Sequence, residues 1–398
     1  MRYIIVDFCA STEKTHHLQY VDAYYKFLKS ENQNVSVILP KYCSQRIKDM
    51  FESDGRYILN SHLFGADLKS NKTKFFWNKA VELFINNLPK HMNVKLLFIN
   101  LFRDLYSKSL INYISKEVND ESQDITIIFP SSDPLAIHSS QIILNKKIRI
   151  RRILLRLITI EDRGILGGSE IIKNVINLSY DHHVAFGFET ENYMQHYKKL
   201  GLSLENSSII PLPSLNKCNE NLANPKKDSK HNCIGFLGTA KKRKGFEQIP
   251  NLIAFFQEIY GSCSFIIQGT DTPWQEYNLI KKSIMGLKAD IKFIENVISF
   301  SELTRIVSEC DFICLPYSSN EYKNSGSAIA YLAADNFVPI LMYEQLGFTR
   351  ELEKYSVGLV LTKKLKKIDL EKFKANNKST INFENYNDYR NAQNKSYM

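Results

Sequence analysis

The chain alternates short apolar runs with segments of helical periodicity, and this alternation restarts once along its length. RYIIVDF (2–8) and NVSVILP (34–40) are compact apolar runs that contain β-branched residues. The segment LQYVDAYYKFLKSE between them places its apolar residues at helical spacing. A strand, a helix and a second strand in this order form a βαβ unit, which requires parallel strands and a right-handed crossover. The pattern therefore predicts a buried parallel sheet covered by helices.

The alternation divides the chain into two halves. Further predicted strands of the first half are VKLLFIN (94–100), ITIIFP (125–130), RILLRLITI (152–160), HVAFGFE (183–189) and SSIIPLPS (207–214). Residues 215–230 are polar and lack an apolar period, which is typical of a linker. Predicted strands of the second half are NCIGFLG (232–238), CSFIIQG (263–269), IKFIEN (291–296), DFICLPY (311–317), VPILMYE (338–344) and VGLVL (357–361). We therefore expect an α/β protein with two Rossmann-like, doubly wound domains at residues 1–214 and 231–398, the second ending in a weakly patterned tail.

Length and composition restrict the class of protein. A chain of 398 residues exceeds the size at which a single core usually stops growing, which favours two domains. No apolar stretch approaches the ~18 residues that span a bilayer, and Asp7 interrupts the short apolar N-terminus, so we expect a cytoplasmic protein. The seven cysteines are scattered without a C-x-x-C pair. This usage predicts buried reduced thiols rather than disulfides or a zinc site.

The formal net charge of +10 suits an anionic partner. The sequence contains no signature of a nucleic-acid-binding module, so we expect no nucleic-acid partner. The segment NKKIRIRRILLRL (145–157) interleaves cations with isoleucine and leucine. It is typical either of a peripheral contact with an anionic membrane surface or of a strand preceded by basic residues.

Two long motifs in the second half carry a family resemblance. In IGFLGTAKKRKGFEQIPNLI, Gly238 ends a strand and the pair Lys244-Gly245 opens the next helix. In CDFICLPYSSNEYKNSGSAIAYLAADNFVPILM, an aspartate precedes a strand that ends near a proline, and a glycine-containing loop, a helix and a further strand follow. From about Cys233 to Leu361 the chain thereby resembles the donor domain of glycosyltransferase family 4 and its GT-B relatives. The resemblance implies a GT-B fold, with two Rossmann-like domains facing across a cleft, and glycosyl transfer from a nucleotide sugar.

The chain departs from the family at three places. PSSDPLA (130–136) resembles a loop with a His-Asp pair, but only Asp133 is kept because a serine replaces the histidine. Retaining members carry Glu-x7-Glu, whose positions fall near Tyr322 and Ala330 here; the neighbouring Glu321 has no partner eight residues on. Thr239 stands where an arginine often follows the strand glycine. These departures leave open whether transfer retains or inverts the anomeric configuration.

The expected donor site must stabilise charge on a leaving nucleoside diphosphate, because the bond that breaks leaves its electrons on a phosphate oxygen. Basic residues at the end of a strand and the free N–H groups of a helix start supply that stabilisation without a metal ion. The predicted donor-binding residues are Gly238, Thr239, Arg243, Lys244, Val297, Ser325, Gly326 and Ser327. The serine pair is equally typical of a plain helix N-cap, and Lys241 and Lys242 of a solvated loop. No Asp-x-Asp motif follows a strand, so we expect neither a metal ion nor a cofactor.

The first half offers candidates for contact with the acceptor or the donor sugar. His16 and His17 end the loop after the first strand, where loops of such sheets meet ligands, and either one is a candidate for contact with a sugar. Asp133 would act as general base if the enzyme inverts, with His138 close along the chain. The predicted catalytic residues are Asp133, His138 and His16, with Glu161 and Asp162 as further carboxylates at a strand end. The expected acceptor is a glycan or a lipid-linked glycan of bacterial surface polysaccharide or glycolipid synthesis; the alternatives are a non-catalytic GT-B subunit and a nucleotide-sugar epimerase.

Overall fold

The structure is a computed structural model that describes two compact units. The described residues are 1–10, 16–41, 43–59, 104, 107–117, 124–146, 148, 150–158, 169–214, 232–270, 276–296, 298–361, 366–376 and 381–398. The first unit comprises Met1–Glu189, Met194–Ile210 and Asn394–Met398, and the second comprises Thr190–Tyr193 and Pro211–Gln393. The predicted linker at 215–230 lies outside the described residues. The contacts assign the last five residues to the first unit, whereas the sequence placed them with the second domain.

The first unit is built on a parallel sheet of seven strands. These are β1 (Arg2–Val6), β2 (Asn34–Pro40), β3 (Gly55–Leu59), β4 (Ile125–Ser132), β5 (Arg152–Leu157), β6 (Val184–Phe188) and β7 (Ser207–Ile209). Their order is β3-β2-β1-β4-β5-β6-β7, with each neighbouring pair parallel. The order reverses between β1 and β4, and the carboxyl ends of strands at such a point are where open α/β sheets bind ligands.

The second unit repeats this arrangement with a parallel sheet of six strands. These are β8 (Asn232–Phe236), β9 (Cys263–Gln268), β10 (Asp290–Ile294), β11 (Phe312–Leu315), β12 (Ile340–Met342) and β13 (Gly358–Val360). The order β10-β9-β8-β11-β12-β13 reverses between β8 and β11. Both sheets therefore have the strand order of a Rossmann-like domain, the domain type that the alternation of apolar runs predicted.

Helices connect the strands, as the right-handed crossovers of a parallel sheet require. The described helices are α1 (His16–Ser30), α2 (Gln45–Phe51), α3 (Pro134–Asn145), α4 (Ser169–Leu178), α5 (Glu191–Lys199), α6 (Ile249–Tyr260), α7 (Tyr277–Met285), α8 (Phe300–Glu309), α9 (Ala328–Asp335), α10 (Thr349–Lys354), α11 (Lys367–Asn376) and α12 (Ile381–Tyr397). Residues 107–117 are also helical. Within the described part of the chain, none of the helices combines the length and apolarity that crossing a bilayer demands. The predicted strand at 94–100 lies outside the described residues.

The basic segment 145–157 contains a strand, so the strand interpretation holds over Arg152–Leu157. Leu154 and Leu155 are fully buried in the sheet. Arg156 is buried as well, and its Nη2 donates to Glu189 Oε1 at 2.7 Å while its Nε donates to the carbonyl of Ile210 at 3.0 Å. The apolar side chains of β5 therefore belong to the core, as the strand interpretation implies, and contact of the basic segment with a membrane surface stays a prediction.

The tail is more regular than its composition suggested, because it forms α11 and α12. Arg390 on α12 is fully buried, and its guanidinium pairs with Asp335 at 2.7 Å and donates to the carbonyl of Leu212. Phe383 and Tyr386 on the same helix are also buried. A buried ion pair and aromatic packing thus hold a helix whose polar sequence gave little periodic signal.

Candidate functional site

The chain turn after β8 is the centre of the candidate site in the second unit. Gly238 has φ +128°, and its N–H donates to Gln268 Oε1 at the end of β9 at 2.9 Å. Thr239 forms a parallel bridge with Thr270. These contacts fix the backbone just beyond the carboxyl edge of the sheet, where glycine supplies a conformation that other residues rarely adopt.

The basic motif after this turn approaches the end of β11. Lys242–Lys244 form one 3-10 turn, and Gly245 follows with φ +66°. A Cβ at Gly245 would lie 1.6 Å from the carbonyl oxygen of Pro316, so only glycine fits there. The sequence predicted that Lys244-Gly245 opens the helix directly. Instead, a second 3-10 turn precedes α6, which begins at Ile249.

Lys244 is the half-buried cation of this site. Its Nζ lies 2.8 Å from the position of a Cβ at Gly238 and 5.7 Å from the ring centroid of Tyr317. Burial lowers the pKa of Lys244, and the nearby Arg243 charge lowers it further, against the effect of Tyr322. Among the described residues, no carboxylate lies within ion-pair distance of its ammonium group. A cation in such surroundings is stabilised by an anionic ligand.

A small pocket lies beside this cation, at the point where the second sheet reverses its strand order. Its lining includes Leu237, Gly238, Thr239, Lys244, Gln268 and Tyr317. Arg243, in contrast, is exposed, and so are Lys241 and Lys242. Burial nevertheless lowers the pKa of Lys241, with the charges of Arg243 and Lys244 adding to the effect. The structure therefore places Gly238, Thr239 and Lys244 around one pocket, and donor binding by them stays a prediction.

The predicted helix start lies against the same tyrosine. Ser327 is the N-cap of α9, and its Oγ accepts from the N–H of Ala330 at 3.3 Å. The Ser327 hydroxyl also donates to the Tyr317 hydroxyl at 3.4 Å. Ser325 and Gly326 precede the cap and are partly buried. The N-cap interpretation is confirmed, and phosphate binding by this helix start stays a prediction; Val297 lies outside the described residues.

Tyr317 links the cation to the helix start, and no sequence pattern predicted a role for it. Its ring is buried and stacks on Tyr322, with centroids 4.4 Å apart and an interplanar angle of 29°. Burial raises the pKa of Tyr317 to about 12, so its hydroxyl stays protonated at neutral pH. Tyr322, which the resemblance places near the first position of Glu-x7-Glu, is packed against Tyr317. Ala330 at the second position is fully buried in α9.

The loop between Tyr322 and Ser325 is held by hydrogen bonds that the sequence did not reveal. The Thr190 hydroxyl donates to the carbonyl of Asn324 at 2.8 Å, and the Asn192 amide donates to the carbonyl of Lys323 at 3.1 Å. The N–H of Gly347 donates to the carbonyl of Tyr322 at 2.8 Å. Because these donors come from distant parts of the chain, no local pattern could have indicated them.

The predicted catalytic residues of the first unit are not gathered in one place by any described contact. Asp133 is buried as the N-cap of α3, where its Oδ1 accepts from the N–H of Ala136 at 2.8 Å. His138 lies on α3 with its Nε2 2.7 Å from Asp104 Oδ1. His16 begins α1. The capping bond gives Asp133 a structural role, and catalysis by these residues stays a prediction; Glu161 and Asp162 lie outside the described residues.

Asp7, in the loop after β1, pairs with His17 at the start of α1, and the sequence did not indicate this contact. Asp7 is buried, and its Oδ1 accepts from the N–H groups of Cys9 and Ala10 at 2.7 and 2.9 Å. Its Oδ2 lies 3.2 Å from Nδ1 of His17 on α1. The structure thus favours His17 over His16 as the histidine tied to the end of the first strand.

The two strand orders define a pair of parallel-sheet Rossmann-like domains of the GT-B type, and solved structures share this fold. Anabaena Alr3699/HepE, solved in complex with UDP-glucose, matches with a TM-score of 0.59 and 11% identity over 99% of this chain and 95% of that chain. Sucrose-phosphate synthase from Thermosynechococcus elongatus matches with a TM-score of 0.55 and 11% identity over 99% and 94%. WaaG, a glycosyltransferase involved in lipopolysaccharide biosynthesis, matches with a TM-score of 0.50 and 11% identity over 99% and 96%. No protein-family model and no curated protein sequence matches the chain.

Proposed function

We propose that the chain is a glycosyltransferase that moves a sugar from a nucleotide-sugar donor to a glycan or a lipid-linked acceptor. The observation that carries the proposal is Lys244, a half-buried cation without a carboxylate partner among the described residues, at the reversal point of the second sheet. The likeness of the fold to a structure solved with UDP-glucose supports the same ligand class. The second domain would bind the donor, and the first domain the acceptor.

The residues around Lys244 fit the charge of a nucleoside diphosphate. Transfer breaks the bond between the sugar carbon and a β-phosphate oxygen, and the electron pair stays on that oxygen. The Lys244 ammonium and the N–H groups at the start of α9 would stabilise this charge. Glycine at position 238 lets the ammonium approach the turn after β8, since a Cβ there would lie 2.8 Å from Lys244 Nζ. In this scheme the diphosphate needs neither Mg²⁺ nor Mn²⁺.

An acceptor from surface polysaccharide or glycolipid synthesis is a prediction from the family resemblance. Contact with an anionic membrane surface is a prediction from the net charge of +10 and the basic segment 145–157. The candidates for acting on the acceptor remain Asp133, His138 and His16. One of them would take the acceptor proton as general base if transfer inverts the anomeric configuration.

A second candidate function is a non-catalytic subunit that binds a nucleotide or a glycan. The observation in its favour is the replacement of both expected glutamates, because Tyr322 and Ala330 are buried and offer no carboxylate. Such a subunit would keep the nucleotide pocket at Lys244 and lose the transfer step.

Nucleotide binding and turnover separate the two functions. The experiment combines thermal-shift screening of nucleoside diphosphates and sugar nucleotides with product analysis in the presence of glycan and glycolipid acceptors. A transferase binds a donor and releases nucleoside diphosphate only as the glycosylated product forms. Binding without any turnover favours the subunit, conversion of the donor sugar without an acceptor indicates an epimerase, and absence of binding by the whole panel contradicts the proposal.

A further inference from the structure

Four side chains that can bind a metal ion meet in the first unit, at the reversal point of its sheet. Asp7 and Cys9 follow β1, His17 is the second residue of α1, and Asp133 follows β4. Single ligand atoms of Asp7, Cys9 and His17 all lie within 4.8 Å of one another, and the three residues are buried. Cys9 Sγ lies 3.6 Å from Asp133 Oδ2. Since β1 and β4 are neighbours in the sheet, the four residues converge from three segments of the chain.

Two of the distances between ligand atoms match those around a tetrahedral zinc ion. With Zn–N and Zn–O bonds of about 2.0 Å and a Zn–S bond of about 2.3 Å, neighbouring N and O ligands lie about 3.3 Å apart and S and O ligands about 3.5 Å apart. Here Asp7 Oδ2 lies 3.2 Å from His17 Nδ1, and Cys9 Sγ lies 3.6 Å from Asp133 Oδ2. Within each of these two pairs, an ion would therefore need little rearrangement.

The two carboxylates are held in an orientation suited to an ion. Asp7 accepts the N–H groups of Cys9 and Ala10 with Oδ1, which turns Oδ2 towards His17. Asp133 likewise accepts the N–H of Ala136 with Oδ1 and turns Oδ2 towards Cys9. Hydrogen bonds to the second oxygen of a ligating carboxylate are the usual support of metal sites, because they fix the ligand before the ion arrives.

We propose that Asp7, Cys9 and His17, with Asp133 as the fourth ligand, form a binding site for one divalent ion of the zinc class. A thiolate and an imidazole select zinc or a similar transition metal over Mg²⁺, Ca²⁺ and Mn²⁺, which prefer oxygen ligands. The ion would tie the start of α1 to the ends of β1 and β4. This site is separate from Lys244 and does not depend on the proposed function, so the diphosphate can remain free of metal.

Metal content of the untagged full-length protein tests the site. After dialysis against zinc-supplemented and then metal-free buffer, we expect about one equivalent of bound zinc. We also expect the melting temperature to rise by roughly 5–10 °C at zinc concentrations about 100 times the dissociation constant. Replacement by Co²⁺ should give the near-ultraviolet charge-transfer absorption of a cobalt–thiolate bond. Wild-type protein that takes up no zinc and shows no such band contains a hydrogen-bonded cluster only, and the proposal fails.

Matched cysteine variants identify the ligand. Cys9→Ser should abolish the cobalt–thiolate band and weaken zinc binding by more than about 100-fold, the upper end of what outer-shell changes cost. Cys43→Ser is the control, because Cys43 is also buried nearby but donates to the carbonyl of Ala10 at 3.3 Å instead of joining the cluster. Circular dichroism checks that each variant is folded. The assignment of Cys9 would be overturned if both variants lost the cobalt–thiolate band, or if both kept it.

Discussion

Replacement of Lys244 by methionine should change nucleotide binding and stability in opposite directions. A charge-assisted hydrogen bond contributes about 1.5–3 kcal/mol, so loss of the ammonium should weaken binding of a nucleoside diphosphate by about 10- to 150-fold. Methionine keeps the apolar stem against Tyr317. Because burial lowers the pKa of Lys244, the charged form destabilises the free protein, and Lys244→Met should raise its melting temperature at neutral pH.

Isothermal titration calorimetry with the best nucleoside diphosphate of a panel, together with thermal melts of the free protein, measures both effects. Lys242→Met is the matched control, since Lys242 is exposed in the same 3-10 turn and should change neither quantity much. If Lys244→Met binds the nucleotide normally and melts at a lower temperature, Lys244 is a structural cation and does not bind the diphosphate.

The pH dependence of the same site follows from the lowered pKa of Lys244. Its ammonium should lose its proton at lower pH than the usual value of 10.5, so diphosphate affinity should fall as pH rises towards 10. The free protein should gain stability over the same window, because the unfolded chain there binds more protons than the folded one. Lys244→Met should remove both trends, and a variant with an unchanged pH profile would show that another group titrates.

Three further outcomes test the remaining parts of the account. Gly245→Ala should destabilise the second domain by more than the roughly 1–3 kcal/mol of backbone strain, because its Cβ would lie 1.6 Å from the carbonyl oxygen of Pro316. Gly261→Ala is the control, because Gly261 has φ +74° and open space around it, and it should cost only the backbone strain. Urea unfolding measures both free energies. Arg156→Met should cost about 3–5 kcal/mol because it breaks the buried ion pair with Glu189. Arg305→Met, in an exposed pair, should have little effect on the same unfolding curve. Donor binding should survive EDTA and gain nothing from Mg²⁺ or Mn²⁺; a requirement for either ion would contradict the metal-free scheme.

Most strands were predictable because a parallel sheet buries both faces, so its strands read as continuous apolar runs. The run NVSVILP coincides with β2, Asn34–Pro40, and most other predicted strands differ from the observed ones by a few residues at their ends. The sequence missed β3 because Gly55–Leu59 is short and mostly half-exposed. It also left the tail unassigned, since the burial of Arg390 depends on Asp335, a residue far away in the chain. Strand order depends on such long-range pairing and was not predictable from local patterns.

The candidate donor site was predictable in part. The sequence located Lys244 and Ser327, because a cation after a strand and a serine before a helix are local signals. It gave no role to Tyr317, whose contacts with both residues arise only in the folded sheet. For Asp133 a local signal was present, since Asp-Pro before an apolar segment is typical of an N-cap with proline in the first turn. The cluster of Asp7, Cys9 and His17 escaped notice because its spacing matches no common metal motif.

A crystal structure of the protein with the nucleoside diphosphate that stabilises it most tests the central claim most directly. The account predicts that phosphate oxygens lie about 3 Å from Lys244 Nζ, in the pocket beside Gly238 and towards the start of α9. A diphosphate bound elsewhere on the second domain, with the Lys244 ammonium unliganded, would contradict it.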